Sequence, residues 1–288
     1  MSPEPAPVQR PPLDDSRVRE VMKGLGMGEL WVSQATGSTN DDLVARAKAG
    51  QLAHLSVETT EHQEAGHGRL GRGWETPDRS SLAISIYFRP DAGFDPAGLP
   101  WLSMLCGTAM VQALNEQAGL AAGLKWPNDV VAGGHKLCGV LAQLVLTADG
   151  PAVVVGTGLN VSQERAELPV PTAGSVALLG GRTTDRTDLM AGYLDRVAEL
   201  YRGFAAVHGN AGEAGPGDRV SLRRTIARHM VSIGHEVDAH LPDGTVLRGT
   251  AEDLGSEGAL VLRDAAGKLH HVLAADVFHL RRSDGSYA

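Results

Sequence analysis

The densest concentration of glycine and arginine in the chain is Gly66-His67-Gly68-Arg69-Leu70-Gly71-Arg72-Gly73-Trp74. Gly66, Gly68 and Gly71 have the spacing of a dinucleotide-binding fingerprint. That motif must open a helix whose N-terminus holds a pyrophosphate, and here Pro77 and an alternating segment from Ser81 leave no room for one. A Walker loop is excluded as well, because no Gly-Lys-Ser/Thr follows. What remains is a loop of exposed N–H groups with two guanidinium groups, Arg69 and Arg72, suited to bind and cover a phosphate or a carboxylate. The plainer reading, a flexible glycine-rich hairpin loop, needs only turn chemistry.

Three other segments carry chemistry-bearing residues. Lys125-Trp126-Pro127-Asn128-Asp129 gathers a cation, a stacking ring and a carboxylate in five residues, although Pro127 and Asn128 also suit an ordinary turn over a core tryptophan. Lys136-Leu137-Cys138-Gly139-Val140-Leu141 places a lysine just before an apolar strand, either at the surface or over the sheet end where sites cluster. Gly156-Thr157-Gly158-Leu159-Asn160-Val161 ends an apolar run with an amide that an interior turn could also satisfy. Cys106 and Cys138 lack a second ligand at metal spacing and read as buried thiols. The histidines of the C-terminal part (His235, His240, His270, His271, His279) read as surface imidazoles.

The elements that position these residues follow from periodicity. Ser38-Thr39-Asn40, then Asp41 and Asp42, an apolar face and Gly50 predict a short capped helix. A short helix and a strand over 30–34 come before it, and residues 54–60 and 81–88 alternate as half-buried strands. Residues 100–120 predict a central buried helix, 137–146 and 153–161 interior strands, and 187–207 a long helix. Glycines at 209, 212, 215 and 217 mark a linker. Beyond it, short turn-punctuated strands near 234–241, 245–254, 258–263 and 268–273 describe a small β-barrel. The fold class is α/β with a mixed sheet, divided into a disordered Pro-rich tail over 1–15, a large domain over 16–212 and a small all-β domain over 218–283.

With 288 residues, 42% of them apolar and 21% charged, the chain can bury a sizeable core. Its net charge of −8 argues against a protein that mainly grips a nucleic-acid backbone, so any local basic cluster stands out. Two cysteines, no apolar run near membrane-spanning length and no basic-then-apolar N-terminus point to a reducing cytoplasm.

Taken in order, Ser38-Thr39-Asn40, the stretch from Glu61 to Trp74, Lys125 to Asp129, Lys136 to Leu141 and Gly156 to Val161 resemble bacterial biotin protein ligases, over about residues 35–285. The resemblance implies a catalytic domain related to class II aminoacyl-tRNA synthetases and a C-terminal SH3-like domain. It also implies activation of biotin by Mg-ATP to biotinyl-5′-AMP, then transfer to one lysine of a biotin carboxyl carrier protein. Carried over by residue, Arg69, Lys136 and Asp129 are catalytic. Ser38, Thr39, Asn40, Gln63, Gly66, Arg69, Ser85, Lys136 and Gly139 lie on the biotin side. Arg69, Arg72, Trp74, Lys125, Asn128, Asp129, Lys136 and Asn160 lie on the nucleotide side. No protein-borne metal site, DNA partner or membrane contact is expected, and the chain is expected to be a monomer or weak homodimer. The family's usual Gly-Arg-Gly-Arg is Gly66-His67-Gly68-Arg69 here, so one permanent charge becomes titratable. Two alternatives stand beside this reading. A lipoate or octanoate ligase shares the fold, and a biotin-responsive repressor would need a DNA-reading domain for which residues 1–37 are too short.

Overall fold

The computed structural model describes residues 10–50, 52–68, 71, 73, 74, 76–217, 220–241, 243–273 and the backbone of 279–282. A seven-stranded mixed sheet organises the larger part. It is built from β1 (Leu30–Ser33), β2 (Val57–Thr60), β5 (Ser81–Phe88), β6 (Gly123–Lys125), β7 (Asp129–Ala132), β8 (His135–Thr147) and β9 (Gly150–Asn160) in the spatial order β1-β2-β5-β9-β8-β7-β6. Only β1 and β2 run parallel; all other neighbours are antiparallel. A two-stranded hairpin, β3 (Gly66–His67) and β4 (Gly73–Trp74), stands apart from this sheet.

The alternation along β5 decides the layers. Leu82, Ile84, Ile86 and Phe88 enter the main core with Val140, Val153, Val155 and Leu159. There the sheet meets α3 (Trp101–Ala113), which is apolar all round and buries 11 of its 13 residues, as a helix enclosed on every side must. Outside α3 lies α4 (Arg186–Ala206), and α1 (Asp15–Leu25) packs on α4. The opposite sheet face carries α2 (Thr39–Lys48), which with Leu43 and Ala47 closes a second, smaller core over Tyr87, Val145 and Val154.

The C-terminal part is a five-stranded antiparallel sheet, β10 (Glu236–His240), β11 (Val246–Leu254), β12 (Leu260–Arg263), β13 (Leu269–Val272) and β14 (His279–Arg282), ordered β13-β12-β11-β10-β14. The fifth strand was not anticipated; it returns to pair with β10. Between the two sheets lies a helix absent from the sequence reading, α5 (Leu222–His229), capped by Ser221 and buried through Leu222 and Ile226.

Residues 10–15, expected to belong to a disordered tail, are ordered, and residues 1–9 of that expectation lie outside the described residues. Arg10 donates to Glu167 at 2.5 Å and to the Ser162 carbonyl at 3.1 Å, Leu13 N–H donates to Glu61 Oε1 at 2.7 Å, and Asp14 caps α1. The prolines do not prevent this, because the strap uses only the polar groups that proline leaves intact. Its anchor is a buried ion pair: Arg186 donates to Glu61 Oε2 at 2.5 Å and to the Pro11 carbonyl at 2.8 Å, with side chains 5% and 3% exposed. Removing one partner strands the other charge in a low-dielectric site. Glu61→Gln is therefore expected to lower unfolding free energy by about 3 kcal/mol in urea titration; a loss below about 1 kcal/mol would show that Arg186 finds water or another partner.

Candidate active site

Beyond the small core under α2, the same sheet face is poor in side chains. Across the strands the register sets Thr60, Ala83, Gly158, Gly139 and Asp129 in one row, and Glu58, Ser85, Gly156 and Leu141 in the next. The two central glycines are where other groups come down on the sheet. A Cβ at Gly156 would lie 2.3 Å from Asn40 Oδ1, and one at Gly158 would lie 2.7 Å from the Trp74 ring. The floor is thus roofed at one end by the first turn of α2 and in the middle by the hairpin.

The α2 end is a polar network. Ser38 caps the helix, its Oγ accepting from Asp41 N–H at 3.3 Å. Thr39 donates its backbone N–H to Gln63 Oε1 at 3.0 Å, and its hydroxyl lies 2.7 Å from Ser85 Oγ. Ser85 lies 2.6 Å from Asn40 Oδ1, while Asn40 Nδ2 donates to the Leu141 carbonyl at 3.2 Å. With its oxygen committed to Thr39, Gln63 directs Nε2 at Gly66, where a Cβ would sit 2.1 Å away. The structure therefore brings Ser38, Thr39, Asn40, Gln63, Gly66 and Ser85 together, with Asn40 serving as the tie between α2, β5 and β8.

The other end is ionic. Lys136 Nζ lies 2.5 Å from Asp129 Oδ1, with side chains 26% and 17% exposed, and a Cβ at Gly139 would stand 3.3 Å from that ammonium. A bulge after Val130 shifts the β7–β8 register, which is how Lys136 comes back over the row that holds Asp129 and Gly139. Asn128 donates Nδ2 to the Val140 carbonyl at 2.6 Å and accepts Val140 N–H at 3.0 Å through its own carbonyl, pinning the 125–129 turn to β8. Lys125 is 4% exposed and pairs in register with Asp129 across β6 and β7.

Asn160 and Trp74 have these surroundings among the described residues. Asn160 uses its amide within the protein, donating to the Gly174 carbonyl at 2.9 Å and accepting from Gln163 at 3.0 Å, so the interior-turn reading fits it. The Trp74 ring covers Gly158, and its Nε1 is buried without a partner among the described residues. Arg69 and Arg72 lie outside the described residues. His67, in the family's arginine position, stands 3.5 Å from Asp41 as an exposed pair between hairpin and helix.

Sequence reasoning missed Glu58, Asp42 and Arg46, which sit beneath the polar network. Glu58 is 3% exposed on β2 beside Ser85, and Arg46 donates to its Oε2 at 3.2 Å. Burial, seconded by the Asp42 charge and opposed by Arg46, raises the Glu58 carboxyl to about 7. A carboxyl raised in the folded state favours folding while protonated, and that contribution is lost as pH climbs through the window from about 4.5 to about 7. Glu58→Gln removes this titration. Its stability relative to wild type is expected to improve by about 1–3 kcal/mol between pH 5 and pH 8, as read by denaturant titration at both pH values; a constant difference would mean Glu58 is ionised throughout.

A mixed α/β unit with a glycine-floored, hairpin-covered cleft and a small antiparallel unit beside it defines the class. The family model described as biotin/lipoate A/B protein ligase matches residues 32–160, and the model of the biotin protein ligase C-terminal domain matches residues 232–280. A biotin–[acetyl-CoA-carboxylase] ligase of Mycobacterium tuberculosis is 37% identical over 94% of this chain and 97% of its own length. One of Paracoccus denitrificans is 31% identical over 84% and 97%. The biotin protein ligase of Aquifex aeolicus in complex with biotin and ATP superposes with a TM-score of 0.70 at 26% identity, covering 88% of this chain and 99% of that one. The chain belongs to the biotin protein ligase family.

Proposed function

We propose that this chain activates biotin with ATP and transfers it to a lysine of a biotin carboxyl carrier domain. The observation that carries the reading is the two-ended cleft. A network of amide and hydroxyl groups (Ser38, Thr39, Gln63, Ser85) and an ionic pair (Lys136, Asp129) are joined by a floor without side chains, Gly156, Gly158 and Gly139. Ser85 and Asp129 are three strand spacings apart, about 14 Å across the sheet. A flat head rich in hydrogen-bonding groups, followed by an apolar tail ending in a carboxylate, fits that sequence of surfaces.

In the first step a biotin carboxylate oxygen attacks the α-phosphorus of ATP, a P–O bond forms, and pyrophosphate leaves. Two anions must approach, so the barrier is largely electrostatic. Lys136 is the described cation at that end of the floor; Arg69 and Arg72 would cover the adenylate from the hairpin, with Trp74 and the 125–129 turn on the nucleotide side. In the second step the carrier lysine amine attacks the acyl carbon and AMP leaves. That amine must first be neutral, and the Asp129 carboxylate is placed to accept its proton. Mg2+ would come with the triphosphate, as it does for ATP generally. No helix among the described residues is long and apolar enough to cross a membrane; a cytoplasmic location, no DNA-reading role, a monomeric or weakly dimeric state and a division near 212–218 complete the reading.

Purified protein is expected to release pyrophosphate only when biotin and ATP are both present and then to label one carrier lysine; faster turnover of lipoate or octanoate would reassign the substrate. Lys136→Ala should slow adenylation about a hundredfold, roughly 3 kcal/mol, and a rate within about threefold of wild type would place Lys136 outside the reaction.

Loss of Arg69 should impair retention more than formation, because Lys136 and ATP still assemble the reaction while one charge-assisted contact to the adenylate phosphate is gone. Arg69→Gly is expected to release the mixed anhydride and biotinylate an added bystander protein on a streptavidin blot. Labelling confined to the carrier would show that the hairpin is not a lid.

A further inference from the structure

Trp126 stands inside the 125–129 turn, yet its ring does not face the cleft: it is 1% exposed and donates Nε1–H to the Gly258 carbonyl at 3.0 Å. Gly258 belongs to the β11–β12 turn of the small domain. Trp101, at the start of α3 and also 1% exposed, donates its own indole N–H to the Ser256 carbonyl of that turn at 3.1 Å. The turn reaches this place because Gly258 adopts φ +77° and has no side chain; a Cβ there would lie 2.5 Å from Met104 Cε on α3. Two further bonds join the turn that leads into β10 to the same segment. Trp126 N–H donates to Ser232 Oγ at 3.3 Å, and Val231 N–H donates to the Leu124 carbonyl at 2.9 Å.

The 125–129 turn is therefore held from two sides. Asn128 is fastened to Val140 of β8 on one, and Leu124 and Trp126 are fastened to residues 231, 232 and 258 on the other. Asp129 follows directly, with Lys136 on its carboxylate. Resting on the reading of this cleft as a biotin-activating site, we propose that the β11–β12 turn of the small domain positions the reacting end of the catalytic sheet through the indole N–H of Trp126. Trp126 is thus a positioning residue, and the small domain acts on catalysis without touching substrate. The polar end of the cleft, on α2, β5 and the residues around Gln63, makes none of these contacts, so the inference separates binding from chemistry.

Trp126→Phe keeps an aromatic ring in the core while removing the indole donor, together with part of the buried ring volume. At a temperature well below the variant's melting point, biotin binding by calorimetry should stay within about twofold of wild type. Single-turnover constants for adenylate formation and for transfer should each fall about tenfold. Gly258→Ala, which displaces the same carbonyl from the other domain, should reproduce that pattern, and the double variant should be no slower than the slower single one. If Trp126→Phe melts earlier but keeps both wild-type rate constants, or if the two losses multiply, the indole is a core anchor only and the proposal fails. Should Trp126→Phe not fold, Gly258→Ala is read by the same binding and rate criteria. Wild-type protein lacking biotin-dependent pyrophosphate release would instead refute the underlying reading of the cleft, before either variant is measured.

Discussion

Close approach to the middle of one strand governs the architecture around the cleft. Asn40 and the Trp74 ring come down on β9 at Gly156 and Gly158, where a Cβ would stand 2.3 and 2.7 Å from them. Interiors pack too densely to absorb overlaps of that size without moving an element. If β9 carried side chains there, α2 would be lifted and the Ser85–Thr39–Asn40–Gln63 network opened, and the hairpin would lose its seat. The neighbouring positions follow the same demand: Ala83 and Ser85 on β5 and Gly139 on β8 are all small, whereas the opposite face of these strands is filled with Leu, Ile, Val and Phe. One face is full along its length, and the other is filled only under the body of α2 and left open around Gly139, Gly156 and Gly158.

An empty face has to be held open by something other than its own packing. Beneath the root of the hairpin, the Glu61–Arg186 pair joins the end of β2, the start of β5, the N-terminus of α4 and the 10–14 strap. At the other end the 125–129 turn is fastened from the small domain and from β8. Buried ions and buried amide bonds make directional constraints that apolar contact does not, at a desolvation cost that leaves little net stabilisation. They are placed here at the two ends of the cleft, where orientation matters more than stability.

Local patterns in the sequence disclosed whatever local physics decides. The alternation of residues 81–88 matches β5 to the residue, and the Ser38 cap with its acidic first turn identifies α2, because caps and periodicity act within one turn or one strand. The network at Ser38, Thr39, Gln63 and Ser85 and the Lys136–Asp129 meeting came through resemblance, since a sheet bulge and long-range register bring those groups together. Arg186 went unnoticed because an arginine at a helix start reads as solvated; only the fold shows it 5% exposed against Glu61. Helix α5 was hidden by glycines before it and strands after it, although Ser221 followed by Leu222 and Ile226 at helical spacing was a usable signal. Trp126 was weighed between stacking ring and core, and its indole bond to a turn about 130 residues away has no sequence signature.

The exposed His67–Asp41 pair, 3.5 Å apart, shows how a loop can trade a fixed charge for a conditional one. An arginine at position 67 would keep its charge at every physiological pH, whereas an imidazole attracts Asp41 only when protonated. Asp41 lies in the first turn of α2, so the contact joins the hairpin to the helix that carries Ser38 and Thr39. In solvent such a pair contributes little to stability and is weakened by salt. What it marks is position: β3 lies beside the first turn of α2, at the polar end of the cleft.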